Sequence, residues 1–441
     1  INKNDGSLDA NWNPNASFFV RSILIDDSDI YVGGEFRSIG GAQRNYIAKL
    51  NKRDGSADTS WDPNPNGLIN SMVIDGNYIY VGGDFTTISG VSRNKIVKLN
   101  KSDGSADADW NPNANGGVRS ITIDNSEIYV GGAFTRIGGG SRNYIAKIDN
   151  NDGRLDTNWN PNANGLVHLI VNEGSDIYTT GRYTLIGGVS RKYLAKLKKT
   201  DGSANALWNP NPNGIVYSVA VDGGDVYVGG YFMNNHHYVI PCFWKNGSRT
   251  SLSVPSGGDG EVYDIALLNG NVRYFAGYTM KPDNFAGYTP KAAYWRNSRR
   301  TDLPLGGSSW DIYGAIGYGV SLDGTDVYVA GNTDWYGQYD VEPSGGSFPQ
   351  YWKNNNIVDL PGGPLNSWGT GTGYDVRAKD GNVVVVGVAT VESPDPATPE
   401  GSYITPCYWL NGELHFLVDQ YDVPEEIERW MDGYARGVFI E

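Results

Sequence analysis

Trp12, Trp61, Trp110, Trp159 and Trp208 stand 49 residues apart, as do Arg44, Arg93, Arg142 and Arg191, and Gly34, Gly83, Gly132, Gly181 and Gly230. A fixed internal period constrains folding more than composition does, because each unit must bury its apolar faces against copies of itself. A period of about 50 residues built from short strands is the pattern of propeller blades.

Each period reads as four strands. Strand a is VRSILID from Val20, VRSITID from Val118 or VYSVAVD from Val216. Strand b is IYVGG plus an aromatic, strand c NYIAKLN, and strand d runs through GSADTSW. Strands a and b are apolar on both faces, as a sheet sandwiched between neighbours must be. Asp-Gly in NKRDGS and NKSDGS closes a c–d hairpin, with Gly in the left-handed position. The turn NKNDGSLD from Asn2 faintly resembles a calcium loop, one residue short of the usual spacing. A plain hairpin with no cofactor is the leading reading there and calcium the alternative. The Gly-Gly of strand b is read as close approach of neighbouring sheets.

Asp9, Asp58, Asp107 and Asp156 share the period, with Asn205 in the fifth place. The spacing predicts a structural tie from Arg44 to Asp58, Arg93 to Asp107 and Arg142 to Asp156 through guanidinium and carboxylate. An anion-binding ring of these arginines, with Arg191, is the alternative.

Taken in order, Asp-Gly-Ser, Asn-Pro, Gly-Gly-x-Phe and Arg-Asn make residues 1–232 resemble the delta-60 repeats of bacterial β-propellers. That resemblance implies a propeller, usually in a large exported or cell-surface bacterial protein, and brings no catalytic motif. From about residue 233 the wording changes: CFWKNG, AYWRNS, QYWKNN and CYWLNG replace strand c, with their Trp 51–57 residues apart. These are similar to the Tyr-Trp-Lys-Asn-Gly repeats of bacterial surface propellers. Residues 233–441 are read as divergent blades of the same single propeller, 1–441. The expected fold is all-β, eight blades plus a partial or composite closing blade, with ARGVFIE at the end as a last strand a. DVPEEIERWMDG, from Asp422, is expected to be a short helix.

Charge narrows the partners. At −14, with a pI near 4.8, the surface argues against nucleic acid and anionic membrane. No apolar run approaches the roughly 18 residues of a spanning helix, so membrane insertion is not expected. The chain has neither initiator Met nor signal peptide, as in a mature or excised chain. Cys242 and Cys407 occupy one position of distant repeats and read as buried thiols without a disulfide.

Strand direction places all the long segments at one end of the blades. They carry Trp310, Tyr313, Trp335, Tyr336, Tyr339 and Trp368, with Asp311, Asp334 and Asp340 beside them. Aromatics next to carboxylates suit stacking on sugars or anchoring a protein; local capping of the blades is the bland reading. Near the same end, the second residue of strand a varies while its Val neighbour stays: Arg21, Asn70, Arg119, His168 and Tyr217. A varied position in a fixed frame is either tolerated at a solvated mouth or faces something asymmetric. His236 and His237, adjacent on an expected strand, diverge and are not read as metal ligands, and neither nucleophile elbow, P-loop nor zinc motif occurs.

The sequence therefore leads to an extracellular or cell-surface, non-enzymatic binding or adhesion scaffold that recognises a glycan or protein by the long-loop face. A self-assembling subunit of a surface layer, sheath or appendage is the second reading. A polysaccharide hydrolase or lyase using Asp311 and Asp340 is the third.

Overall fold

Alternating apolar strands and Asp-Gly or Asn-Gly turns fold into antiparallel sheets throughout the computed structural model. It describes residues 14–416, apart from 27–28, 223, 257, 269–271, 284–286, 306–311, 337–344, 362–370, 380–381, 393–401 and 411–412. Those residues contain no helix. The expected helix from Asp422, the terminal strand ARGVFIE and the first turn at Asn2, with Asp9 and Trp12, lie outside them. The chain divides into two compact units, whose described parts are residues 14–212 and 213–416.

The first unit holds four three-stranded sheets of like build, each with a small two-stranded hairpin between its strands b and c. Their strands a, b and c are Val20–Ile25, Asp29–Gly34 and Ile47–Asn51; Ile69–Asp75, Tyr78–Gly83 and Ile96–Asn100; Val118–Asp124, Glu127–Gly132 and Ile145–Asp149; and Val167–Glu173, Asp176–Gly181 and Leu194–Lys198. Strand d, expected as a full strand, shrinks to one bridge per sheet: Leu50 with Ala57, Leu99 with Ala106, Ile148 with Leu155 and Leu197 with Ala204. The Asp that follows turns the chain away. Asp58 Oδ1 accepts from the Ser60 amide at 2.9 Å, and Asp107 Oδ1 from the Trp110 amide at 3.1 Å. The c–d turns are hairpins: Gly55 and Gly104 lie at φ 72° and 74°, and Asp54 Oδ1 accepts from the Ser56 amide.

The second unit holds four full four-stranded sheets. They are Val216–Asp222, Asp225–Met233, Val239–Lys245 and Ser248–Ser251; Asp259–Leu268, Val272–Asp283, Gly287–Arg296 and Arg299–Asp302; Ile312–Asp323, Asp326–Tyr336, Gly345–Lys353 and Asn356–Asp359; and Gly371–Lys379, Asn382–Glu392, Ser402–Leu410 and Glu413–Phe416. The first of these joins the two wordings, because strands a and b follow the early repeat and strand c carries CFWK. Much of what reads as long loop is ladder instead. The b–c hairpin of the sixth sheet stays paired to Asp283 and Gly287, and that of the seventh to Tyr336 and Gly345. Thr279, Thr289, Thr333, Tyr288, Tyr336 and Phe348 on the extensions are residue types that favour continued pairing.

Tryptophan fastens neighbouring sheets together, and its direction reverses between the units. In the first, the indole after strand d donates forward to the end of the next sheet's strand c: Trp61 to Asn100 O at 3.3 Å, Trp110 to Asp149 O at 3.1 Å and Trp159 to Lys198 O at 3.0 Å. Tyr31, Tyr80, Tyr129 and Tyr178 of strand b pack edge-on against Trp61, Trp110, Trp159 and Trp208, 5.2–5.5 Å between ring centres. In the second unit the indole sits in strand c and donates backward, past the end of the previous strand d. Trp295 reaches Ser253 O, Trp352 reaches Pro304 O and Trp409 reaches Pro361 O, at 2.9, 2.9 and 2.7 Å.

The arginine tie differs from the expectation. Arg44 Nη2 donates to the backbone carbonyl of Asp58 at 3.0 Å, Arg93 to that of Asp107 at 2.8 Å and Arg142 to that of Asp156 at 2.9 Å. The carboxylates pair with strand-c lysines instead: Lys49 with Asp58, Lys98 with Asp107 and Lys147 with Asp156, at 3.3, 3.5 and 3.1 Å. A buried guanidinium is thus matched to turn carbonyls, which explains the fifth repeat. Arg191 Nη2 donates to Asn205 O at 3.0 Å, since any residue offers a carbonyl. Arg44, Arg142 and Arg191 are buried, and their guanidinium groups donate to these carbonyls.

Candidate functional site

Strand a breaks register once at a common place in all eight sheets. The irregularities fall between Val20 and Ser22, Ile69 and Ser71, Val118 and Ser120, and Val167 and Leu169 in the first unit. In the second they fall between Val216 and Ser218, Val262 and Asp264, Gly317 and Gly319, and Gly373 and Asp375. The extra residue of each bulge is Arg21, Asn70, Arg119, His168, Tyr217, Tyr263, Tyr318 or Tyr374. A bulge re-aims one side chain while the ladder resumes on either side. The varied series found in the sequence is therefore the bulge series, extended by three tyrosines that the sequence reading missed.

The bulge also assigns the two glycines of strand b. The first meets the neighbouring sheet: a Cβ on Gly131 would lie 2.8 Å from Val167 Cγ1. The second meets the bulge of its own sheet: a Cβ on Gly132 would overlap the carbonyl oxygen of Gly117. Only the second is kept in the later sheets, as Gly277, Gly331 and Gly387, where a Cβ would strike Glu261 O, Ile316 O and Thr372 O. The sequence reading of close approach between sheets holds for the first glycine alone. Gly132→Ala is expected to cost about 1–3 kcal/mol or more, because backbone rather than a side chain must yield. Gly131→Ala presses on side chains and is expected to cost less. Urea-unfolding midpoints of the two variants check the order.

In the first unit the bulge residues are polar. Arg21 Nε donates to Glu35 Oε1 at 2.7 Å. Asn70 Nδ2 donates to Val118 O at 2.9 Å and to Asp84 Oδ2 at 3.4 Å. Arg119 Nη1 reaches the same Asp84 oxygen at 2.9 Å. His168 is half-buried, and burial together with the positive Arg182 and Arg119 holds its pKa below the usual histidine value.

In the second unit the series is a row of phenol rings. Tyr217 and Tyr263 meet edge-on at 4.9 Å, Tyr263 and Tyr318 stack at 5.3 Å, and Tyr318 and Tyr374 meet edge-on at 5.7 Å. Tyr217 donates to Glu261 Oε2 at 2.7 Å. Burial, reinforced by Glu261, raises the pKa of Tyr263 and Tyr278, so both stay phenols. Tyr374 ends the row 36% exposed. Behind it Asp375, its side chain 16% exposed, accepts from Arg377 Nη1 at 2.8 Å. Burial raises its pKa to about 6; Arg377 opposes the shift and Asp264 adds to it.

Of the long-segment aromatics, Trp310, Tyr339 and Trp368, with Asp311 and Asp340, lie outside the described residues. Tyr313, Trp335 and Tyr336 lie on paired strands rather than loops, with Ile312 opposite Trp335 and Tyr336 opposite Gly345. Tyr313 is itself the extra residue of a second bulge, between Ile312 and Gly314. Positions of these three side chains are outside the description. His236 and His237 occupy a turn, not a strand, and His237 has φ 64°. Cys242 and Cys407 are buried free thiols, and burial pushes the Cys242 pKa up to about 12. Among the described residues no group of three or more His, Cys, Asp or Glu is placed to hold a metal, and no helix is long and apolar enough to cross a membrane.

Residues 27–60, 75–109 and 125–158 match the family model described as a domain of unknown function (DUF5122) beta-propeller. These stretches thus carry β-propeller repeats. No curated protein matches the chain significantly. Among solved structures, the computationally designed Ika8 protein is 11% identical with a TM-score of 0.44, covering 85% of this chain and 94% of that one. A Mycobacterium tuberculosis puromycin-hydrolyzing peptidase is 12% identical with a TM-score of 0.40, covering 81% of this chain and 54% of that one. Likeness at this level carries no argument about function.

Proposed function

We propose that the chain is a non-enzymatic binding scaffold of the cell surface or extracellular space that recognises a glycan by the sheet ends bearing the bulges. The observation that carries this is the recurrence of one bulge in eight sheets, which presents Arg, Asn or His in each of the first four and a tyrosine in each of the last four. A row of phenol rings with a neighbouring carboxylate suits sugar faces and hydroxyls. The fold behind it is, on this proposal, a propeller of eight blades with a partial or composite closing blade. Its early repeats are of the delta-60 kind and its later ones of the surface-propeller kind.

A glycan array probed with the whole chain tests this reading. Binding is expected, weakened severalfold by Tyr374→Ala. Comparable loss in Trp335→Ala would extend the contact onto the b–c hairpins. A blank array overturns the glycan reading, and self-association at defined stoichiometry would then favour a surface-layer subunit.

A further inference from the structure

The fifth, sixth and seventh sheets end in like c–d turns and can be compared place by place. In the fifth, Tyr227 of strand b stands opposite Lys245 of strand c, and in the seventh Tyr328 stands opposite Lys353. Each lysine pairs with the aspartate two residues before that tyrosine, Asp225 or Asp326. Asn246 and Asn354 of the turns donate to the same two carboxylates. In the sixth sheet Tyr274 stands opposite Arg296, and Asn297 Oδ1 accepts from the Arg273 amide at 3.1 Å, as Asn246 and Asn354 do from Val226 and Val327. Here the place of the aspartate is taken by Val272. Arg273 stands in the place of Val226 and Val327, and Arg299 in that of Ser248 and Asn356.

Arg273, Arg296 and Arg299 thus gather where the neighbouring sheets hold a neutral Lys–Asp pair. Arg296 and Arg299 are exposed and directly opposite each other on strands c and d. Residues so opposed have Cβ atoms about 4.5–5.5 Å apart, and like charges there repel. Among the described residues the ion pair at this turn is that of Arg300 with Asp302, and neither Arg296 nor Arg299 has one. Arg296 lies over the Tyr274 ring at 5.9 Å, which leaves the in-plane donors of its guanidinium unused. Arg273 faces the other side of the sheet, 5.0 Å from the ring centre of Tyr227 and 5.7 Å from that of Phe243, also without a carboxylate.

We infer that Arg296 and Arg299 form a binding site for a dianionic oxyanion, a phosphate or phosphate monoester, with Arg273 adding its charge from behind. Two guanidinium forks opposed across a hairpin can each give parallel N–H bonds to one tetrahedral group. A dianion between them cancels the repulsion that the opposed arginines build into the turn. A lysine paired with aspartate, as in the sheets on either side, creates no such demand. The turn lies at the opposite end of the sixth sheet from its bulge, so the site does not rest on the glycan reading.

Calorimetry of the whole chain at low ionic strength, with inorganic phosphate and with glycerol 3-phosphate, tests the site. Saturable binding is expected, weakened about tenfold by Arg296→Gln and by Arg299→Gln, as loss of a charge-assisted pair does. Tighter binding of the ester supports the site and names a phosphorylated partner; tighter binding of inorganic phosphate supports it and names the free ion. Arg154→Gln removes the same charge from a side chain 85% exposed beside another c–d turn, and is expected to change little. Equal loss in all three variants means diffuse attraction and overturns the site, as does the absence of saturable binding. Thermal melts in phosphate-free buffer give a reading that needs no ligand. There Arg299→Gln relieves the opposition to Arg296 and is expected to melt above wild type, while saturating phosphate raises wild type more than the variant. A variant that melts lower without phosphate would show that Arg299 is held by contacts within the fold, and would overturn the inference.

Discussion

Trp110→Ala is expected to lower stability by about 3–5 kcal/mol, the range for emptying a fully buried indole site. Trp110 is 0% exposed, lies edge-on to Tyr80 at 5.3 Å and donates to Asp149 O of the next sheet at 3.1 Å. It therefore acts within its sheet and across the joint at once. Trp110→Phe keeps an aromatic ring against Tyr80 and removes the donor, leaving a loss nearer that of one hydrogen bond and some volume, about 1–2 kcal/mol. Urea unfolding followed by fluorescence gives both values. If Trp110→Ala costs no more than Trp110→Phe, the packing account of the joint is wrong.

Asp375→Asn is expected to stabilise the protein at pH 8 and to do nothing at pH 4. The carboxyl has its pKa raised from 3.8 to about 6 in the folded chain, chiefly by burial. A raised folded-state value means that the native state binds the proton more tightly than the unfolded state does. That contribution is fully present below the unfolded value near 3.8 and is lost as pH rises through about 6. Above that the ionised group costs up to about 3 kcal/mol, from 1.36 kcal/mol per unit. Asparagine escapes the charge while its amide oxygen still accepts from Arg377 Nη1. Thermal melts of wild type and variant at the two pH values check it. A variant less stable at pH 8 would show that the carboxylate's pairing with Arg377 outweighs its burial.

The strand order was legible because each place in the 49-residue period has a single packing duty. Asp-Gly closes the c–d hairpin and Val or Ile fills the joint, so repetition exposes their roles. What sequence could not give was which atom does the bonding. Arg and Asp recur together whether the guanidinium meets a carboxylate or a carbonyl. Asn205 was the available clue, since an arginine that tolerates Asn opposite it does not depend on charge. The bulge series was visible as variation over the first five repeats. Tyr263, Tyr318 and Tyr374 escaped because the later spacing is uneven, although each precedes an apolar strand-a run, as Tyr217 does. The extent of pairing along the b–c hairpins of the sixth and seventh sheets was hidden for a simpler reason. Gly and Pro near their tips signal a turn, and nothing in a single sequence shows how far pairing continues toward it.

The reversal of the tryptophan donor has a consequence for modularity. In one set of sheets the indole is supplied by the earlier partner of each joint, and in the other set by the later partner. Sheets within a set are therefore interchangeable parts, like bricks with a stud on the same side. Copying a sheet beside its own kind therefore supplies one indole to each new joint.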